Sequence, residues 1–126
     1  MNIILPHGIT TNRQYVVTEL DTAEVFHSGE VNVLATPRLL AMIEETTFLS
    51  VKDFLPKGYI TVGVEAKISH MHSSKIGTHI SIRTKLQKQE GRKLFFEAIV
   101  EDHSQQIAQC TCVRFIVDKQ KFINKD

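Results

Sequence analysis

Charge of one sign is what this sequence has least of: fifteen lysines and arginines face fourteen aspartates and glutamates, a formal net charge of +1. So even a balance builds no field that would gather nucleic acid, an anionic membrane surface or an acidic partner. The basic clusters around Lys85–Lys88 and Lys119–Lys121 are short and carry no interleaved aromatics on which bases could stack. They read as solvated surface. Cysteine is nearly as scarce. Cys110 and Cys112 are the only two; at i,i+2 on a strand they share a face without making a useful staple, so a reducing, intracellular compartment is expected.

Long apolar runs are missing too. None nears the roughly 18 residues of a membrane span, and Pro6-His7-Gly8 ends the short run near the N-terminus, which no basic segment precedes. The expectation is one cytoplasmic domain over residues 1–126, since that length suits a single core. Walker, GxGxxG and HExxH patterns are absent, as are repeats and linkers, so no nucleotide cofactor or zincin chemistry is indicated.

What is present is a change of period. Gln14–Thr18 reads as a strand, and His27-Ser28-Gly29 as a turn. Thr36-Pro37 then opens a helix through Lys52: threonine can cap free amides, and proline suits the first helical position, where its missing N–H is no loss. The helix must stop by Leu55, before Pro56-Lys57-Gly58. After Gly58 the period becomes two. Val62, Val64, Ala66, Ile68 and His70 share one parity, and Ile80, Ile82, Thr84 and Leu86 repeat the pattern. Gln89-Glu90-Gly91-Arg92 marks a hairpin, and strands over 93–101 and 106–117 follow. One long helix and then four strands predict an α+β fold, an antiparallel sheet with the helix wrapped against one face. So thin a layer favours completing its core by dimerisation.

A helical wheel gathers Leu40, Ala41, Ile43, Phe48 and Val51 about one direction, and Arg38, Glu45 and Lys52 about another. Glu44 falls with the apolar group. A carboxylate there must be paired, hydrogen-bonded or protonated, and such a site is where a general acid or base is found; the plainer reading is a salt bridge. His70, at the end of an apolar strand face, is the second candidate, and a satisfied structural histidine is its plainer reading. Thr36 is the third: its default is capping, yet a hydroxyl at a helix N-terminus can also meet a carbonyl oxygen or oxyanion. His70 with His72 and Cys110 with Cys112 lack zinc-knuckle spacing, so no metal site is expected.

The segment Val33-Leu34-Ala35-Thr36-Pro37-Arg38-Leu39-Leu40-Ala41-Met42-Ile43-Glu44 resembles the helix-opening motif of hotdog-fold thioesterases of the fluoroacetyl-CoA thioesterase type. The likeness runs on through Gly63, Ser69-His70 and Gly77 to Glu90-Gly91-Arg92, Asp102, Ile107 and the Arg114 strand. It implies a hotdog fold, a homodimer or dimer of dimers with sites at the subunit interface, and acyl-CoA hydrolysis by Thr36, Glu44 and His70 without a cofactor. Gly63, Gly77 and Arg114 fall at its substrate-binding positions. Two departures stand out: the aromatic-rich lid is replaced by Val25-Phe26-His27-Ser28-Gly29-Glu30, and Cys112 stands where the relative has histidine. Fluoroacetyl selectivity is therefore not implied. A rival reading is a hotdog module that binds acyl-CoA without turning it over.

Overall fold

The strand order of the sheet explains where a site can form. The structure, a computed structural model, describes residues 2–125. Its elements are β1 (Thr10–Val16), a 3-10 turn (Glu19–Asp21), α1 (Thr36–Lys52), β2 (Tyr59–His70), β3 (His79–Glu90), β4 (Lys93–Glu101), β5 (Gln106–Asp118) and the short α2 (Lys119–Ile123). The five strands pair antiparallel in the order β1-β3-β4-β5-β2, and α1 packs on one face against β1, β2 and β3. This is the α+β hotdog arrangement. The central strands bury alternate residues as their period of two requires: Ile80, Ile82, Thr84 and Leu86 on β3, and Leu94, Phe96, Ala98 and Val100 on β4. The first strand begins earlier than Gln14, because Thr10 to Val16 find partners along β3.

The helix departs from the wheel. Its buried face is Leu39, Met42, Ile43, Thr46, Thr47, Ser50 and Val51, an i, i+3, i+4 stripe that includes small hydroxyl residues. Each hydroxyl is satisfied within the helix: Thr46 donates to the Met42 carbonyl, Thr47 to Glu44 and Ser50 to Thr47. Such self-bonded side chains pack as small apolar bodies, which apolar counting overlooks. Ala41 is exposed, and Leu40 and Phe48 are half-buried. Glu44 therefore lies on the flank of the buried face, with 42% of its side chain exposed.

Thr36 is not the cap. Ala35 holds that position with no side-chain bond, Thr36 is the first helical residue, and Pro37 follows within the first turn, where no N–H is needed. The helix start is fixed from outside. Ala35 N donates to the Asp21 carbonyl at 2.8 Å, and Arg38 Nε reaches Asp21 Oδ1 at 2.8 Å. Asp21 in turn accepts from the Thr18 amide and hydroxyl. A bridge between Thr22 and Leu34, with Ala23 N donating to the Val33 carbonyl, closes the intervening loop at its base.

On β2 the parity reading fails at one point. Gly63 pairs with Arg114 and Glu65 with Val113, so Val64 is an extra, bulged residue. Before it Thr61 and Gly63 face the helix; after it Ala66, Ile68 and His70 do, opposite Cys112, Cys110 and Ala108. Val62, paired with Phe115, therefore faces the other side from Ala66, Ile68 and His70, and the bulged Val64 is 53% exposed.

Candidate active site

Two clusters of side chains line the crossing of α1 and β2. At the helix start, Thr36 Oγ1 lies 2.8 Å from His70 Nδ1. Since the hydroxyl is not spent on capping, it is free to fix the imidazole. Burial holds the His70 pKa below the ordinary imidazole value, with the His72 backbone acting in the opposite direction. His70 Nε2 is buried and has no hydrogen-bond partner among the described residues. A neutral imidazole with one nitrogen anchored and the other free is suited to take or give a proton. The pair borders a cavity of about 260 Å³ under the 23–33 loop, lined also by Ala23, Val31, Val33 and Met71.

The second cluster lies farther along the helix. Glu44 Oε2 sits over Gly63 so closely that a Cβ built there would stand 2.5 Å from it. The glycine is needed for this approach and not for an unusual backbone conformation. Arg114, 7% exposed, approaches the same oxygen at 3.8 Å through Nη1. Its other nitrogens are occupied: Nε donates to Thr61 Oγ1 at 2.9 Å and Nη2 to the Thr61 carbonyl at 3.1 Å. The Phe48 ring lies 5.8 Å from the guanidinium. Arg114 is thus a buried positive charge aimed at Glu44 and held by its neighbour on β2. Thr61 escapes sequence reasoning; its one signal is a polar residue at an inward position two before a glycine.

Cys110 and Cys112 are free and buried on the same sheet face as Arg114. The adjacent Cys110 thiol, together with burial, pushes the Cys112 thiol up, which disfavours its thiolate. Gly77 belongs to neither cluster. It sits in the 75–78 turn at φ +93°, where Thr78 N donates to the Lys75 carbonyl, a conformation glycine adopts freely. Glu45 turns outward and accepts from the Tyr15 hydroxyl at 2.5 Å.

Within one chain the clusters do not meet. Thr36 and Glu44 are eight residues apart on α1, about 12 Å along its axis, and Gly63 and His70 are separated by about 20 Å of strand. Along β2 the residues Gly63 through Lys67 are exposed on both faces, and β2 is a sheet edge.

A family model described as fluoroacetyl-CoA-specific thioesterase, FlK, matches residues 17–120. A search of curated protein sequences gives no match. Among solved structures, a hot-dog-like protein from Thermanaerovibrio acidaminovorans superposes with a TM-score of 0.88 at 18% identity, covering 94% of this chain and 87% of that one. A variant of the thioesterase FlK in complex with fluoroacetate and CoA gives 0.87 at 19%, covering 94% and 99%. A thioesterase-superfamily member from Thermus thermophilus gives 0.85 at 20%, covering 94% and 88%. At such identities the structural likeness establishes the fold.

Proposed function

Because the chain belongs to the fluoroacetyl-CoA-specific thioesterase family, we propose that it is an acyl-CoA thioesterase, hydrolysing a small or medium acyl-CoA thioester to the free acid and CoA. One observation carries this reading: a carboxylate, Glu44, is seated over the bare backbone of Gly63, beside a strand bulge. A thioester carbonyl laid there meets a base and backbone groups that the bulge leaves unpaired, which can donate to the oxyanion. Glu44 takes a proton from water as the water oxygen bonds to the carbonyl carbon. The tetrahedral intermediate then breaks its C–S bond, and the CoA sulfur leaves with a proton relayed by His70, which Thr36 holds in orientation. Arg114 keeps a positive charge beside Glu44 and contributes through it.

The separation of the clusters is resolved by a second copy. An edge strand exposed on both faces is a surface that needs a partner. Antiparallel self-pairing of β2 centred on Lys67 sets a second copy's His70 opposite Gly63, on the same sheet face. Each site then draws Glu44 from one subunit and Thr36 with His70 from the other. The acyl group occupies the cavity beside Thr36, whose volume of about 260 Å³ suits a short chain better than a long one. The loop over it carries no counterpart of an aromatic-rich lid, so fluoroacetyl selectivity forms no part of the proposal.

The test is thiol release from a panel of short-chain and aryl acyl-CoA esters. Turnover by the wild type, reduced at least about 100-fold in Glu44→Gln, is expected for loss of a general base. Saturable binding with no turnover of any ester would instead make the protein a non-catalytic acyl-CoA module.

A further inference from the structure

In the folded chain the Lys119–Lys121 cluster of α2, which has no aromatic among its own three residues, meets Tyr59 at the start of β2. Lys119 N donates to the Gly58 carbonyl at 2.9 Å, which draws α2 against the start of β2. Between them lies a pocket of about 290 Å³ lined by Tyr59, Arg92, Asp118, Lys121, Phe122 and Lys125. Arg92 stacks on the Tyr59 ring at 5.2 Å. Lys121, Phe122 and Lys125 are exposed at its rim. Asp118 is the one acid among these six, and its Oδ1 accepts from the Lys121 amide at 3.1 Å, so it serves the turn into α2. Three cations around two aromatic rings form a site for an anion joined to a flat ring, the chemistry of a nucleoside phosphate.

Its position connects it to the candidate active site. Tyr59, Thr61 and Gly63 alternate along β2 ahead of the bulge and so face the same side. Tyr59 is four residues from Gly63, about 13 Å along the strand. A ligand with its phosphates on Lys121 and Lys125 and its reactive carbonyl over Gly63 must therefore carry a slender spacer of about that length. An extended pantetheine arm is such a spacer.

We propose that this pocket holds the adenosine 3′,5′-diphosphate end of the CoA ester; the assignment rests on the thioesterase reading above. The cations are used in binding and take no part in the chemistry, so they act on KM and leave kcat alone.

The experiment pairs two substrates carrying one acyl group, the CoA ester and the pantetheine ester, with wild type and a Lys121→Glu/Lys125→Glu double variant. Both lysines are exposed, so the fold tolerates the change. The expected result is a KM for the CoA ester raised about tenfold or more, with kcat and the pantetheine-ester kinetics unchanged. An unchanged KM for the CoA ester overturns the proposal. So does a rise shared by the pantetheine ester, which lacks the nucleotide. Should the wild type hydrolyse no thioester, the thioesterase reading fails separately, and calorimetric titration with adenosine 3′,5′-bisphosphate decides the pocket. Binding weakened by the double variant supports it; absence of binding overturns it.

Discussion

Gly63 and His70 lie seven residues apart on β2 and nevertheless face the same side of the sheet, toward α1. An odd separation on a regular strand would point them to opposite faces. The bulged Val64 removes the conflict by adding one residue to β2 that has no partner on β5. The glycine beneath Glu44 and the imidazole beside Thr36 thus belong to one surface because of a single residue inserted between them.

The space above Gly63 gives the first prediction. Gly63→Ala places a methyl 2.5 Å from Glu44 Oε2, so the carboxylate must move by an ångström or more. A misplacement of that size costs about 100-fold in kcat/KM. Stability should shift by only about 0.5 kcal/mol, since the position is exposed on an edge strand. Thermal unfolding and acyl-CoA turnover measured side by side check both halves; wild-type turnover in the alanine variant would show that Glu44 need not occupy this place.

Thr36 gives the second. Thr36→Val keeps the shape but removes the hydroxyl at 2.8 Å from His70 Nδ1, freeing the ring to rotate. Turnover should drop at least about tenfold, and Thr36→Ser should retain most of it. Because no side chain caps α1, the unfolding midpoint should hardly move. A valine variant as active as the serine variant would remove the orienting role.

Much of the architecture is legible from period and punctuation alone. The Ile80/Ile82/Thr84/Leu86 face and the Gly91 hairpin are local features that the sheet only has to accept. The helix is legible in extent but not in orientation, because Thr46, Thr47 and Ser50 bury their hydroxyls by bonding to their own backbone. The bulge is invisible, since nothing in Gly63-Val64-Glu65 distinguishes an extra residue from a continued strand until β5 supplies the register. The same holds for the contacts of the candidate site. Thr36, Glu44 and His70 can be nominated one at a time, but the pairing of Thr36 with His70 and the Thr61–Arg114–Glu44 chain are long-range facts of packing.

That chain gives the third prediction. Arg114→Met leaves the buried Thr61 hydroxyl and carbonyl without their donors, which costs about 1–3 kcal/mol. Arg114→Lys keeps a charge near Glu44 but cannot reproduce both bonds to Thr61. It should lie between wild type and methionine in urea midpoint while retaining more activity than methionine. Equal stability of all three proteins would mean that the arginine is not an anchored element.

The pH dependence of His70 gives the fourth. Burial lowers its folded pKa below the ordinary imidazole value of 6.5. Between the folded pKa and 6.5 the unfolded chain binds more protons, so this group's stabilising contribution is complete above 6.5 and is lost as pH falls through that window. In a composite site a second copy's Glu44 would oppose burial by favouring the imidazolium. In Glu44→Gln, where that carboxylate is absent, the His70 resonance should therefore titrate with a midpoint below 6.5, and in the wild type the midpoint should be higher than in the variant. Identical midpoints would separate the two residues.

Mixing subunits gives the most direct test of how the site is divided. Glu44→Gln and His70→Ala chains, each inactive alone, are unfolded together and refolded at equal concentration. If each site takes its carboxylate and its imidazole from different subunits, a heterodimer has one site with both residues intact and one with neither. Random assortment makes half the dimers mixed, so about a quarter of the wild-type activity should return. If both residues come from the same subunit, every site in every dimer lacks one of them and no activity returns. The same mixing repeated with a proline replacing Ala66, in the exposed stretch of β2, should abolish the recovery and leave monomers of 14.3 kDa, because proline removes a ladder donor from the edge that has to pair. Recovery that survives the proline would place the contact between subunits on another surface.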